Sequence, residues 1–376
     1  MSGDRLPSGG RPLSRDRAPM RESGAATAPR AASAELVMPA EWAPHRATWI
    51  AWPHRASDWP GRFAPIPWCF AEVVRALSRG EVVAILIADA AAERRARRML
   101  SRMGIDPARL EFHRVRTDRC WTRDSGPLFV RRADGVREAT LWRFTGWAKY
   151  SDHRRDAKVG AAIARAAGVP TREVLAGGRR IVLEGGAIDV DGEGTLLATE
   201  ECLLSDVQAR NPGLGRAELE RALREALGIR RVIWLGRGIV GDDTHGHVDD
   251  VCRFVAPGRV VLCAEGDPRD ANYALLAENH ERLASARDAA GRKLEVIALP
   301  MPAPIVFDGI RVPASYANFY IANGRVLVPV FNDPRDRQAL GILAELFPDR
   351  EITPIYAGDL VWGLGTIHCM TQQEPA

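Results

Sequence analysis

From about residue 118 onward, apolar and polar positions follow one order, and that order recurs several times along the chain. Each unit opens with a polar residue beside a glycine or proline. An apolar strand, a tight turn, a second strand, a helix-patterned stretch and a short closing strand then follow. Paired strands are predicted over 128–143, 187–198, 251–263 and 318–331, turning at Asp134-Gly135, Gly192 to Gly194, Pro257-Gly258 and Asn323-Gly324. Asp-Gly, Pro-Gly and Asn-Gly between alternating apolar runs are strong hairpin signals. Helices are predicted near 156–167, 215–227, 271–290 and 335–346, and closing strands at TREVLA and RRIVLE, RRVIWL, KLEVIAL and REITPIYA. The earlier segment supplies another unit: ATWIAWP at 47–53, a helix over 67–79, EVVAILIA at 81–88, a helix over 91–103 and LEFHRV at 110–115.

The residues that open these units are Asp124, Glu184, His247, Asn318 and Cys369, separated by 60, 63, 71 and 51 residues. A ββαβ unit repeated about five times puts one polar residue per unit at an equivalent place. If the units form a ring, those residues converge on its axis. The pattern fits an α/β propeller better than a doubly wound sheet.

Residues 1–37 lack this periodicity and are rich in Ser, Gly, Pro, Ala and Arg, so they read as a disordered tail ahead of a single domain over 38–376. They also lack the apolar stretch of about 7–15 residues that a secretion signal needs. Hydrophobic residues make up 46% and charged residues 27% of the 376, and no apolar run approaches the roughly 18–20 residues of a membrane helix. The net charge is only +4, the 52 basic residues divide into 49 Arg and 3 Lys, and no dense basic cluster appears, which argues against a nucleic-acid partner. Six cysteines without a CxxC pair point to reduced thiols and a cytoplasmic location.

Four segments carry candidate chemistry. In Trp121-Thr122-Arg123-Asp124-Ser125-Gly126-Pro127, the Gly-Pro pair stops any helix and should lift Asp124 to the start of a strand. A Trp face beside a carboxylate suits a flat cation, although an Asp-capped turn with a core Trp looks the same. Glu184 precedes Gly185-Gly186, where backbone must approach closely; turn carboxylates are usually just solvated. Strand alternation would put His245, His247 and Asp249 on one face. That face reads as a zinc or iron site, as an acid/base His247 with Asp249 as a substrate anchor, or as chance clustering. Cys369 lies in a Gly-flanked turn and fits either a nucleophile or a small buried hydrophobe. A GxSxG elbow and a P-loop are missing from the sequence, so serine hydrolase and NTPase readings lose their main support.

With these residues in place, the chain over roughly 38–376 resembles the agmatine deiminases of the guanidino-group-modifying superfamily, which also contains bacterial peptidylarginine deiminases. The resemblance rests on MPAEWAPHRATWIAWPHRASDWPGRF, WTRDSGP, GWAKY, LEGGAIDVDGEGTLLATEECLL, GDDTHGHVDD, SYANFYIANGRVLVPVFNDPRD, FPDR and IHCMTQQEP. It implies a five-bladed α/β propeller (the pentein fold) with pseudo-fivefold symmetry. It further implies Cys369 as nucleophile, His247 as acid/base, and Asp124 and Asp249 as holders of the guanidinium, with Glu184 near the substrate. Trp121, Asn318 and Asp243 are expected to line the site. No metal or organic cofactor is implied; the partners are a small cationic guanidino substrate and a second copy in a homodimer. Two loops depart from the usual family pattern, Asp243-Thr244-His245-Gly246 and Gly363-Leu364-Gly365-Thr366. The family's reaction is thereby implied more firmly than agmatine itself. An amine-ended substrate would look to Asp242 and Asp243, whereas an arginine would look to Arg123 or Arg237.

Overall fold

A computed structural model describes residues 36–376. The hairpin-forming turns fall where the dipeptides place them. Leu128–Arg132 pairs antiparallel with Arg137–Leu141, Asp189–Val190 with Thr195–Thr199, Cys252–Ala256 with Arg259–Ala264, and Tyr320–Ala322 with Arg325–Val330. The turn glycines Gly135, Gly192, Gly194, Gly258 and Gly324 all have positive φ, a conformation that costs glycine little. After each hairpin a helix crosses over: Val159–Ala167, Arg216–Leu227, Ala271–Ser285 and Asp336–Leu346. Each then delivers a strand parallel to the second hairpin strand, namely Thr171–Glu173, Arg231–Leu235, Glu295–Pro300 and Glu351–Tyr356.

The remaining large sheet joins distant parts of the chain. His45–Ala51 pairs antiparallel with Gln372–Pro375 on one side and parallel with Val82–Ile87 on the other, and Leu110–Arg114 completes the order. Helix Ile66–Leu77 connects its first two N-terminal strands, and Ala90–Arg102 the next pair. The latter starts where the Asp89 carboxylate accepts the Ala92 N–H at 2.8 Å, a standard N-cap. The architecture is therefore α/β with mixed sheets, its strands buried between helices and the molecule's interior. Trp49, Ile85, Phe254, Tyr316 and Phe319 are all buried in the larger of two apolar clusters. Among the described residues no helix is long and apolar enough to cross a membrane.

Three local expectations need correction. Leu36 and Val37, assigned to the tail, form a short strand against Arg131 and Arg132, and Leu36 packs into the second apolar cluster. The rest of the tail, residues 1–35, lies outside the described residues. The helix predicted to reach 290 stops at Ser285, because Asp288 takes the backbone N–H groups of Ala290 and Arg292 in a turn of its own. RRIVLE does not close a large sheet: Arg179–Arg180 folds back on Leu175–Ala176, and Val182 makes only an isolated bridge to Arg143.

Docking of Leu36 depends on Gly228, which ends its helix at φ +73; a Cβ there would lie 1.8 Å from the Leu36 carbonyl oxygen. Gly168 ends another helix at φ +67 with nothing within 4 Å. Gly168→Ala should therefore cost only the left-handed penalty, about 1–2 kcal/mol. Gly228→Ala should cost more, read from urea unfolding midpoints. Equal losses would mean that Leu36 is not held there.

Candidate active site

The five unit-opening residues come together, each carried by a tight structure rather than by a strand. Asp124 sits in the single helical turn Thr122–Ser125, which Gly126-Pro127 stops before the strand begins. Asp124 therefore lies ahead of the strand and not at its first residue. Glu184 precedes the turn Gly185–Ala187, and His247 precedes Val248–Asp250, which carries Asp249. Gly186 shows how closely these turns meet. A Cβ on it would lie 2.5 Å from His247 Nδ1, 2.9 Å from Asp124 Oδ1 and 3.1 Å from Asp249 Oδ2. Only a residue without a side chain fits there.

The resulting cluster is dense and buried. His247 Nδ1 lies 3.8 Å from Asp124 Oδ1 and 4.0 Å from Asp249 Oδ1, and its Nε2 lies 3.8 Å from Glu184 Oε2. Cys369 Sγ is 3.9 Å from Asp249 Oδ2, and the Asn318 amide nitrogen approaches the sulfur at 3.2 Å. Each carboxylate is fixed by donors on one side. Asp124 accepts the Trp147 indole N–H at 2.8 Å and the Gly186 N–H at 3.0 Å. Arg210 Nε donates to both Glu184 oxygens at 3.2 Å, and His368 Nδ1 meets Asp249 Oδ2 at 2.6 Å. On the other side, both nitrogens of His247 and Asp249 Oδ1 are buried without a hydrogen-bond partner. Unpaired polar atoms in a dry site are costly, so Asp249 Oδ1 is open to an N–H donor of a ligand and the His247 ring is open to a partner of its own.

Electrostatics follow from this crowding. Burial pushes the Asp124 carboxyl up to about 6, helped by the charges of Asp249 and Glu184 and resisted by His247. Burial works against a charged His247, but Asp124 outweighs it, with Cys202 and Glu184 assisting, and the imidazole is held well above its ordinary range. Burial would also neutralise Glu184, yet Arg210 and His247 keep its carboxyl below the usual value. The Cys369 thiol is pushed well up, first by burial and then by Asp249, Asp250 and Asp124. An incoming cation between Asp124 and Asp249 removes much of that opposition to a thiolate.

A cavity of about 640 Å³ leads to Cys369 and Asp124, with Trp121, Trp147, Gly365 and Leu364 in its walls. A groove of about 690 Å³ lies elsewhere, along Pro39, Trp42 and Arg131, and contains none of the clustered residues. At the mouth of the 640 Å³ cavity stand Asp58, Asp152 and Asp243. Asp243 accepts the Tyr150 hydroxyl at 2.6 Å and Lys149 Nζ at 3.3 Å. Arg119 binds Asp58 at 2.7 Å and Asp152 at 3.0 Å, and Arg55 also pairs with Asp152.

Trp121, Asp124, Asp243 and Cys369 thus line the cavity, while His247, Asp249, Glu184 and Asn318 pack around its inner end. Other expectations fail on geometry. His245 is left-handed at φ +66 and turns to Ser205, so His245, His247 and Asp249 do not share a strand face. Asp242 is spent on its own loop, accepting the N–H groups of Thr244, Gly246 and His247. Arg123 is buried on Glu41 and Gln373, and neither it nor Arg237 lines the cavity. Among the described residues, Glu184, Cys202 and His247 offer ligand atoms within 4.8 Å of one another, compact enough for a soft divalent ion. Arg210, however, already donates to both Glu184 oxygens, so a metal there would lie against a guanidinium. Sequence reasoning passed over Trp147, Arg210, His368 and Glu41. Trp147 stood within the quoted GWAKY block; Arg210 gave no signal among 49 arginines.

Comparison with known proteins gives the family of the chain. The model of the Porphyromonas-type peptidyl-arginine deiminase family matches residues 37–375. The agmatine deiminase of Stutzerimonas stutzeri is 39% identical over 362 residues, covering 90% of this chain and 95% of its own. Among solved structures, the agmatine deiminase of Enterococcus faecalis superposes with a TM-score of 0.84 at 32% identity, covering 92% of this chain and 98% of that one. The agmatine deiminase of C. jejuni gives 0.79 at 25% identity, with 91% and 96% covered. A match over nearly the whole described length, with one domain architecture in common, makes this chain a member of the Porphyromonas-type peptidyl-arginine deiminase family.

Proposed function

We propose that this chain hydrolyses the guanidino group of agmatine, giving N-carbamoylputrescine and ammonia. The observation that carries the reading is the Cys369 thiol beside Asp249 and Asp124, at the inner end of a cavity with His247 opposite unpaired. Relatives described as agmatine deiminases support the choice of substrate. The five large sheets fit a five-bladed propeller with the site at its centre. Six free cysteines suit a cytoplasmic enzyme, and a homodimer is its proposed assembly, which light scattering would test.

The chemistry follows from the charges. A guanidinium carbon is a poor electrophile because resonance spreads its charge over three nitrogens. Asp124 and Asp249 hold its N–H groups and stay opposite the positive charge as the carbon becomes tetrahedral. The Cys369 thiolate forms the C–S bond, and His247 protonates the departing nitrogen, which leaves as ammonia. His247, now neutral, takes a proton from water as its oxygen attacks the amidino-thioester carbon. The C–S bond breaks, and the sulfur leaves as the ureido product forms. Glu184, anchored by Arg210, stabilises the imidazolium before the first transfer and again once water has been deprotonated. At the mouth, Asp243 is the carboxylate placed to receive the amine at the far end of the substrate.

Four outcomes follow. Assayed for ureido product and ammonia with agmatine, arginine and a peptidyl-arginine, the protein should prefer agmatine. Cys369→Ala should lower turnover on the order of 10³-fold or more, and activity that survives it would sink the mechanism. Asp243→Asn should raise KM for agmatine about tenfold with little change in kcat, the loss of one charge-assisted contact. Finally, Asp124 carries a proton below about pH 6 and is ionised above it. Agmatine binding to the Cys369→Ala protein, followed by calorimetry, should therefore weaken as the pH falls through 6, with proton release on binding there. Affinity that is flat from pH 5 to 8 would remove Asp124 from the guanidinium site.

A further inference from the structure

Behind the catalytic residues lies a buried chain of ionisable groups that the reaction as described does not use. His368, the residue before Cys369, is 1% exposed and has a carboxylate oxygen against each ring nitrogen. Asp249 Oδ2 lies 2.6 Å from Nδ1, and Glu41 Oε2 lies 2.7 Å from Nε2. Glu41 comes from the segment ahead of the first long strand, outside the repeated units. Its Oε1 accepts Arg253 at 2.9 Å and the Ile321 N–H at 2.8 Å, and its Oε2 accepts Arg123 at 3.2 Å. Burial opposes a charged Glu41, but Arg253, His368 and Arg123 together hold its carboxyl well below the usual range. Glu41 is therefore an acceptor only.

An imidazole placed between two ionised carboxylates must donate at both nitrogens, because neither oxygen has a proton to give. The geometry has two consequences at the reacting end. His368 ties down Asp249 Oδ2 and leaves Oδ1 bare toward His247 at 4.0 Å. It also places a positive charge on the carboxylate whose negative charge, after burial, most opposes ionisation of Cys369. The other groups acting on this pair are Tyr320, with its ring centroid 6.5 Å from that of His368, Arg253, whose charge acts on Asp249 from behind, Arg123, whose Nε lies 3.4 Å from the His368 carbonyl oxygen, and the acids Asp189 and Asp250.

We propose that His368 is a positioning residue for the deimination, a doubly protonated imidazole clamped by Glu41 that aims Asp249 at the guanidinium and offsets its charge beside Cys369. The proposal rests on the reading of this site as a guanidine hydrolase, but part of its test needs no substrate. The pH dependence of Cys369 alkylation by iodoacetamide should move upward by about one unit in His368→Gln. The same variant should lose about 100-fold in kcat/KM for agmatine, mostly in kcat, with the acidic limb of the profile moved the same way. Glu41→Gln, which keeps the shape and one acceptor oxygen, should show a smaller loss in the same direction, about tenfold.

A purely structural His368 would lower the melting temperature and leave both pH profiles in place; that result in the folded variant overturns the proposal. If His368→Gln does not fold, neutron diffraction of the wild-type protein decides: deuterium is expected on both ring nitrogens, and a bare nitrogen overturns the assignment. Should the wild-type protein fail to turn over any guanidine, the reading of the site fails. The alkylation profile and the neutron density would still test the clamp.

Discussion

Everything at the centre of this protein answers to one constraint: ionised carboxylates kept away from water must be held by donors, yet must leave one side open for a cation. Three carboxylates meet it in three ways. Asp124 takes an indole N–H and a backbone N–H, Glu184 takes a guanidinium, and Asp249 takes an imidazole. None of these partners can be exchanged for water without losing direction. The strict demand for a side-chain-free residue at Gly186 follows, because three of the site's polar atoms converge where its Cβ would be. Without the donors, burial alone would protonate the acids and leave a neutral pocket with no preference for a guanidinium.

The same constraint explains why the outer part of the cavity differs from the inner part. Asp152 at the mouth, with a side chain 41% exposed, is matched by the flexible cations Arg55 and Arg119. Such pairs are weak in water and rearrange easily. The inner end is held in fixed geometry; the outer end adapts.

Much of the fold was legible because its repeat is written in turn residues. Asp134-Gly135, Pro257-Gly258 and Asn323-Gly324 turn the chain by local stereochemistry, so tertiary context has little to override. Cys369 and His247 stood out because cysteine and histidine are scarce in this composition. Arg210 and Arg253 could not stand out among so many arginines, and their roles exist only through partners distant in sequence. Glu41 was hidden for a different reason: it reaches the centre from outside the repeat. The histidine run misled where alternation was assumed through Gly246 and a left-handed His245, two residues that break strand geometry.

The sheet built from His45–Ala51 and Gln372–Pro375 also has a kinetic consequence. Trp49 and Glu374, hydrogen-bonded at 2.8 Å, are 325 residues apart in sequence. Contacts of such long range form late, since most of the chain's entropy must be given up before they return any stabilisation. Until they form, the strand edge at Ala47 to Ala51 stands unpaired and apolar, open to intermolecular pairing. The thiol three residues before Gln372 reaches its partners only when this edge is closed, so a partly folded chain carries Cys369 as an ordinary, unpositioned cysteine.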